Sequence, residues 1–141
     1  SEQAYGIPPE QVIGTAGTTT YSHDKSGKAV LTKDPKVMLD DNNAGKAEGI
    51  HLMIGRRPHF AFGNTSGDQQ MLEYTGTGDG ARLSMLLLHD DATREYAYGP
   101  ARGLPDTKVG AFSVALDSIA KARGWTVVSM KKDWKRVFAF E

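Results

Sequence analysis

Apolar residues in this chain fall into short clusters separated by glycine, proline and polar runs, and the spacing inside each cluster predicts an element. Ala4-Tyr5-Gly6 ahead of Ile7-Pro8-Pro9 reads as the last turn of a helix, a glycine stop and prolines that forbid continuation, so a helix is expected to begin before Ser1. Gln11 to Thr15 carries Val12 and Ile13 up to Gly14 and is expected as a short buried strand. Thr18 to Tyr21 and Ala29 to Thr32 flank the turn-like Asp24-Lys25-Ser26-Gly27 and read as a small exposed hairpin near residues 18–32.

Asn43 is placed to cap a helix through Lys46 to about Ile54, with Ala47, Ile50, Met53 and Ile54 at helical spacing for one buried face and Gly55 as the stop. His59 to Phe62 follows as a strand, Gly63 to Asp68 as a loop and Gln69 to Tyr74 as a short helix. Leu83 to Leu88 is almost continuously apolar, as suits a strand covered on both faces in a parallel sheet. Val109, Phe112, Leu116, Ile119 and Ala120 mark an amphipathic helix ended by Gly124, and Thr126 to Ser129 supplies one more strand. Strands alternating with helices predict an α/β fold with a mostly parallel sheet, in a single domain over residues 1–141. Thr75 to Gly80 is glycine-rich, but it follows a helix and precedes a strand, the reverse of a phosphate-binding glycine loop, and reads as a connector.

Composition narrows the class. With 39% hydrophobic and 24% charged residues the chain is globular in character, and its longest apolar run, Met85 to Leu88, is far short of the roughly 20 residues that span a bilayer. The absence of cysteine excludes disulfides, thiolate zinc sites and a cysteine nucleophile, and is compatible with cytoplasm and periplasm alike. Seventeen basic residues balance seventeen acidic ones, which argues against a nucleic-acid binder despite Lys131, Lys132, Lys135 and Arg136 around Trp134. His23, His51, His59 and His89 show no paired metal-ligand spacing. The chain opens on Ser1 with no initiator methionine, so an upstream portion is expected.

Ligands of open α/β sheets bind outside the carboxyl ends of the strands, where Gly63-Asn64-Thr65-Ser66-Gly67-Asp68 is expected. Asn64 and Asp68 carry oxygens of the kind hard cations such as Mg²⁺ take. A crossover helix runs antiparallel to its strands, so Lys46 is expected at the same edge, and a cation beside metal-binding oxygens suits a phosphoryl group. The same residue types also cap turns and helices, and a lone lysine also reads as a solvated charge. His89-Asp90-Asp91 after its strand is placed to touch a ligand at the carboxyl edge, although it reads more readily as a solvated turn. Arg56-Arg57, at the amino edge, reads as a solvated pair or a partner contact.

Two stretches together, Asp41-Asn42-Asn43-Ala44-Gly45-Lys46 and Ile54-Gly55-Arg56-Arg57-Pro58-His59-Phe60-Ala61-Phe62-Gly63-Asn64-Thr65-Ser66-Gly67-Asp68-Gln69-Gln70-Met71-Leu72, resemble the second half of a haloacid dehalogenase (HAD) superfamily phosphatase, in its phosphoserine-phosphatase-like branch. A looser likeness continues through Arg94-Glu95-Tyr96-Ala97-Tyr98 and Gly124-Trp125 to Met130-Lys131-Lys132-Asp133-Trp134. The resemblance implies a Rossmann-like three-layer sandwich lacking its amino-terminal half, a small phosphorylated substrate and Mg²⁺ as cofactor. It makes Lys46 the catalytic and substrate-binding cation that neutralises the phosphoryl group and the aspartyl nucleophile, gives Thr65 to the substrate, and gives Asn64 and Asp68 to the metal. Lys46 and Asp68 are expected at an exposed sheet edge.

Two departures follow. Asn64 stands where many relatives carry aspartate, so the metal is expected to bind more weakly. The Asp-x-Asp pair of the family's nucleophile motif occurs nowhere in the chain. The expectation is therefore the carboxyl-terminal portion of a phosphate-monoester hydrolase, inactive by itself. The alternative is a truncated HAD-like domain serving as a non-enzymatic binding or assembly module, or with an unrelated acquired activity. Missing central strands would leave Phe60 and Phe62 beside an open sheet edge, which predicts a two-fold homodimer in which strands or helices of a second copy cover that edge, exchange of the amino-terminal segment being one way to do so; the alternative is that residues 1 to 40 fold back and close the gap within one chain.

Overall fold

The computed structural model describes residues 1–107 and 110–137. Contacts divide the chain into two compact units, Ser1–Arg56 and Arg57–Glu141.

In the first unit a single helical turn, α1 (Glu2–Tyr5), is closed by Gly6 in the left-handed region. Strands β1 (Ala16–His23) and β2 (Ala29–Leu39) form the expected antiparallel hairpin, longer than the sequence pattern indicates. Its turn is held by Asp24, whose Oδ1 accepts the Ser26 hydroxyl at 2.6 Å and the N–H groups of Ser26 and Lys28 at 2.8 and 3.0 Å. The pairing jumps from Thr19 opposite Lys33 to Gly17 opposite Val37. That bulge absorbs Pro35, which has no N–H to give to a ladder.

Two expectations fail in this unit. Val12 to Thr15 is irregular, and Val12 is 53% exposed. Two apolar residues caught between the turn at Pro9–Gln11 and Gly14 are too few to hold a ladder, and Ile13 packs on a helix instead. That helix, α2 (Ala44–Ile54), starts and stops where expected, but it docks through Gly45 and Gly49, while Met53 and Ile54 stay more than half exposed. A Cβ on Gly45 would lie 1.7 Å from the Asp40 carbonyl oxygen, and one on Gly49 would lie 3.1 Å from Ile13 and Leu39 carbons. The close approach of the backbone takes the place of an apolar stripe.

The second unit is a parallel sheet of β3 (Phe60–Gly63), β4 (Leu83–Leu88) and β5 (Thr126–Ser129), in that order. Helix α3 (Gln69–Gly76) connects the first two, α4 (Val114–Ala122) lies between the second and third, and α5 (Met130–Asp133) follows β5. The fold class is thus α/β, with a parallel three-stranded sheet and a separate antiparallel pair. The register sets Ala61 beside Ser84, two residues before Leu86, so these residues and Leu88 share one face of the sheet. Leu72 from α3, Leu116 and Ala120 from α4, and Phe112 complete the core there. On the other face Phe60, Phe62 and Leu83 are 53%, 38% and 45% exposed, so β4 is buried on its helix side and half-covered opposite.

Helix α4 begins one turn later than its apolar pattern indicates, at Ser113, whose Oγ accepts the Leu116 N–H at 3.1 Å. Phe112 is buried ahead of the helix, and Val109 lies outside the described residues. Arg57 is not solvated. Its guanidinium sits 4.1 Å from the Tyr74 ring centroid and donates to the Tyr74 carbonyl and, at 2.9 Å, to the Thr77 hydroxyl, tying the entry of β3 to the end of α3. Among the described residues no helix is long and apolar enough to cross a membrane.

Candidate functional site

The loop leaving β3 is built around one carboxylate. Asp68 is 6% exposed. Its Oδ2 accepts the backbone N–H of Asn64 at 2.8 Å and of Thr65 at 3.0 Å, with the Thr65 hydroxyl at 3.4 Å. The Thr65 oxygen in turn accepts the Gly67 N–H at 3.2 Å, closing a capping box over the 3₁₀ turn Ser66–Asp68 that opens α3. Gly63 makes this possible, because a Cβ there would lie 2.5 Å from the Asp68 Cβ. The Ser66 N–H donates to the Ala111 carbonyl at 3.2 Å, which ties the loop to the segment before α4. Asp68 is therefore not at an exposed edge, as the sequence pattern suggests, because its Oδ2 serves the loop's own amides.

Asn64 stands among side chains that follow the neighbouring strand, β4. Its Nδ2 is 3.2 Å from the Tyr98 hydroxyl and 3.2 Å from His89 Nε2. The other ring nitrogen, Nδ1, is 2.8 Å from Glu95 Oε2. The rings of His89 and Tyr98 stack with centroids 4.5 Å apart, 14° from parallel. A cleft of about 470 Å³ opens beside them, lined by Asn64, Thr65, Tyr96, Tyr98, Thr107 and Gly110. It lies at the carboxyl ends of two adjacent parallel strands, where α/β sheets bind ligands. A second cavity, of about 250 Å³ between Arg82, Arg123 and Trp125, opens at the amino end of β4, the wrong edge for that role.

His89-Asp90-Asp91 is not the solvated turn that the sequence suggests. Asp91 is 7% exposed and pairs with Arg94 Nε at 2.6 Å, while Arg94 also donates to the Met130 carbonyl. The hydrogen bond from Arg94, joined by the N–H groups of Thr93 and Arg94, holds the Asp91 carboxyl below the ordinary carboxylate range. Burial pushes the Asp90 carboxyl up, but the Ser129 hydroxyl at 2.7 Å and the Lys131 N–H at 3.0 Å outweigh it and leave it lowered. Both carboxylates hold the segment after β4 in place. The available sequence signal was Arg94-Glu95-Tyr96-Ala97-Tyr98, a cluster of charge and aromatic rings a few residues past a buried strand.

Of the residues singled out from sequence, Asn64, Thr65 and Asp68 come together in the one loop of the second unit. Lys46 is half-buried on the first turn of α2, in the first unit. Lys131 and Lys132 are exposed on α5, and Trp134 is 39% exposed. Among the described residues no group of three or more histidine or carboxylate side chains could hold a metal ion. No protein-family model matches the chain, and no curated protein matches it either.

Proposed function

We propose that this chain supplies the carboxyl-terminal part of a Mg²⁺-dependent phosphate-monoester hydrolase of the HAD superfamily, acting on a small phosphorylated substrate and built on a Rossmann-like three-layer core. The observation that carries the reading is the Gly63 to Asp68 loop, which ends a parallel strand and presents Asn64 and Thr65 to a cleft at the carboxyl edge. The donor set suits a hard cation: Asn64 Oδ1 makes no hydrogen bond among the described residues, and the Asp68 carboxylate accepts the backbone N–H of the same residue at 2.8 Å. Mg²⁺ keeps several waters and takes only one or two protein oxygens besides a substrate phosphate, so two oxygens suffice as this chain's share. When bound, the cation would offset negative charge on the phosphoryl oxygens.

In this reading Thr65 contacts the phosphate and Lys46 neutralises it, the latter assignment resting on the resemblance alone. The chain has no Asp-x-Asp pair, so the nucleophile comes from outside these residues and the chain by itself is inactive. The test is hydrolysis of p-nitrophenyl phosphate, with Mg²⁺ and with chelator, by the full product of the reading frame. Mg²⁺-dependent turnover is expected, and a product without hydrolysis refutes the class.

One observation favours the assembly reading. Among the described residues β3 pairs only with β4, and Phe60 and Phe62 lie 6.4 Å apart on the exposed face of that edge strand. Such an edge invites a second copy, and we propose a two-fold dimer in which the second copy covers it. Light scattering at micromolar concentration is expected to give twice the chain mass, and a monomer refutes it.

A further inference from the structure

We infer that Glu95, His89 and Tyr98 are positioning residues that fix which end of the Asn64 carboxamide faces the cleft, leaving Oδ1 as the outward group. The use of that oxygen for a cation rests on the phosphatase reading, whereas its orientation follows from the contacts of the neutral His89 ring with Glu95 and Asn64.

The hydrogen bonds run outward from the Glu95 carboxylate. Glu95 Oε2 can only accept, so at 2.8 Å the His89 Nδ1 carries the ring proton and donates it. Whenever the ring is neutral, Nε2 holds a lone pair, and the group facing it at 3.2 Å must be a donor. Asn64 therefore turns its NH₂ toward His89. Its second N–H donates to the Tyr98 oxygen at 3.2 Å, so both amide hydrogens are used. The reversed amide would set Oδ1 against the Nε2 lone pair and forfeit that bond, whereas the Tyr98 hydroxyl can serve either end of the carboxamide, so the His89 contact is the one that fixes the orientation.

Two features keep the chain from relaxing. Tyr98 stacks on the imidazole at 4.5 Å and opposes rotation of the ring. The Tyr98 N–H donates to the His89 carbonyl at 2.9 Å, so the two residues are also joined through the backbone. A carboxylate at position 64 would not need this arrangement, because either of its ends is an acceptor. A carboxamide does, since its wrong end would point two N–H donors at a cation. The Glu95–His89–Tyr98 chain thus compensates for asparagine at this place, as the groups behind metal ligands commonly orient them.

The experiment has two arms on the 141-residue chain. In the first, ¹⁵N-correlated spectra of neutral His89 are expected to show the Nδ1–H tautomer with a bare Nε2, and an Nε2–H ring overturns the inference without reference to any metal. In the second, Mn²⁺ is titrated by water-proton relaxation. Glu95→Gln, which can donate to Nδ1 and so release the other tautomer, is expected to weaken Mn²⁺ about tenfold. In an Asn64→Asp background the same change is expected to matter less than about twofold, because an aspartate has no wrong end. An equal loss in both backgrounds overturns the positioning role, since removal of charge or a folding defect acts on both alike. If neither the parent chain nor Asn64→Asp binds Mn²⁺, the metal part of the phosphatase reading fails, and the tautomer spectrum alone decides the orientation.

Discussion

A Cβ on Gly63 would lie 2.5 Å from the Cβ of Asp68 and 2.8 Å from its carboxyl carbon, so the buried carboxylate under the loop exists because the last residue of β3 is glycine. Gly63→Ala must push either the strand end or Asp68 aside. A cost of about 2 kcal/mol is expected from urea unfolding, typical of overpacking in a close-packed region. An unchanged midpoint would mean that the loop holds Asp68 some other way.

The same carboxylate separates a structural from a charge role. Asp68→Ala leaves the N–H groups of Asn64 and Thr65 without their acceptor in a buried place and is expected to cost roughly 2–3 kcal/mol. Asp68→Asn keeps an acceptor oxygen and is expected to cost only about 1 kcal/mol, while removing the charge that the proposed cation would need. Urea midpoints of the two variants check this. Equal losses would show that the charge, not the acceptor, holds the loop.

Gly45→Ala probes the first unit in the same manner. Its new methyl would meet the Asp40 carbonyl oxygen at 1.7 Å, a backbone atom with nowhere to go, so α2 must move. A loss of roughly 3 kcal/mol or more is expected, against a few tenths for Ala47→Gln at a half-buried helical position. Similar effects at the two positions would remove the glycine contact from the account of this helix.

Acid stability has a definite sign. The Asp91 carboxyl is lowered, foremost by its hydrogen bond from Arg94, so its contribution is present above the ordinary carboxylate value and is lost as pH falls through the lowered one. Asp91→Asn removes that dependence. The stability gap between parent and variant is expected to be wide at pH 7 and to close below the ordinary carboxylate range, as read from urea midpoints across pH. A gap that is constant with pH would contradict the pairing.

Much of this architecture was legible because β4 and α4 bury their apolar residues at the spacing their conformations demand, and because Gly6, Gly55 and Gly124 end helices in the left-handed region. The face of α2 was not legible. Apolar periodicity points to Met53 and Ile54, whereas the helix docks by removing side chains at Gly45 and Gly49, a contact that no hydrophobic pattern encodes. Val12 and Ile13 misled for a related reason, since two β-branched residues are enough to suggest a strand and too few to sustain one.

At the candidate site, the Asn64 to Asp68 loop could be read directly, because strand, glycine, polar run and helix follow one another in the chain. The joining of His89, Glu95 and Tyr98 to that loop could not. They meet Asn64 only through the parallel pairing of β3 with β4, across 25 to 34 residues of sequence, and a lone histidine carries no spacing to betray it.

The central claim, that the Gly63 to Asp68 loop is the cation-binding part of a phosphatase, is tested most directly by the Mg²⁺ dependence of p-nitrophenyl phosphate hydrolysis. The measurement compares the full product of the reading frame with its Asn64→Asp variant. A carboxylate in place of the carboxamide adds a negative charge to the proposed ligand set, so the Mg²⁺ concentration for half-maximal rate is expected to fall, by about tenfold for an added charge worth roughly 1.4 kcal/mol. Hydrolysis with an unchanged or raised half-saturating Mg²⁺ concentration would contradict the account and remove Asn64 from the site.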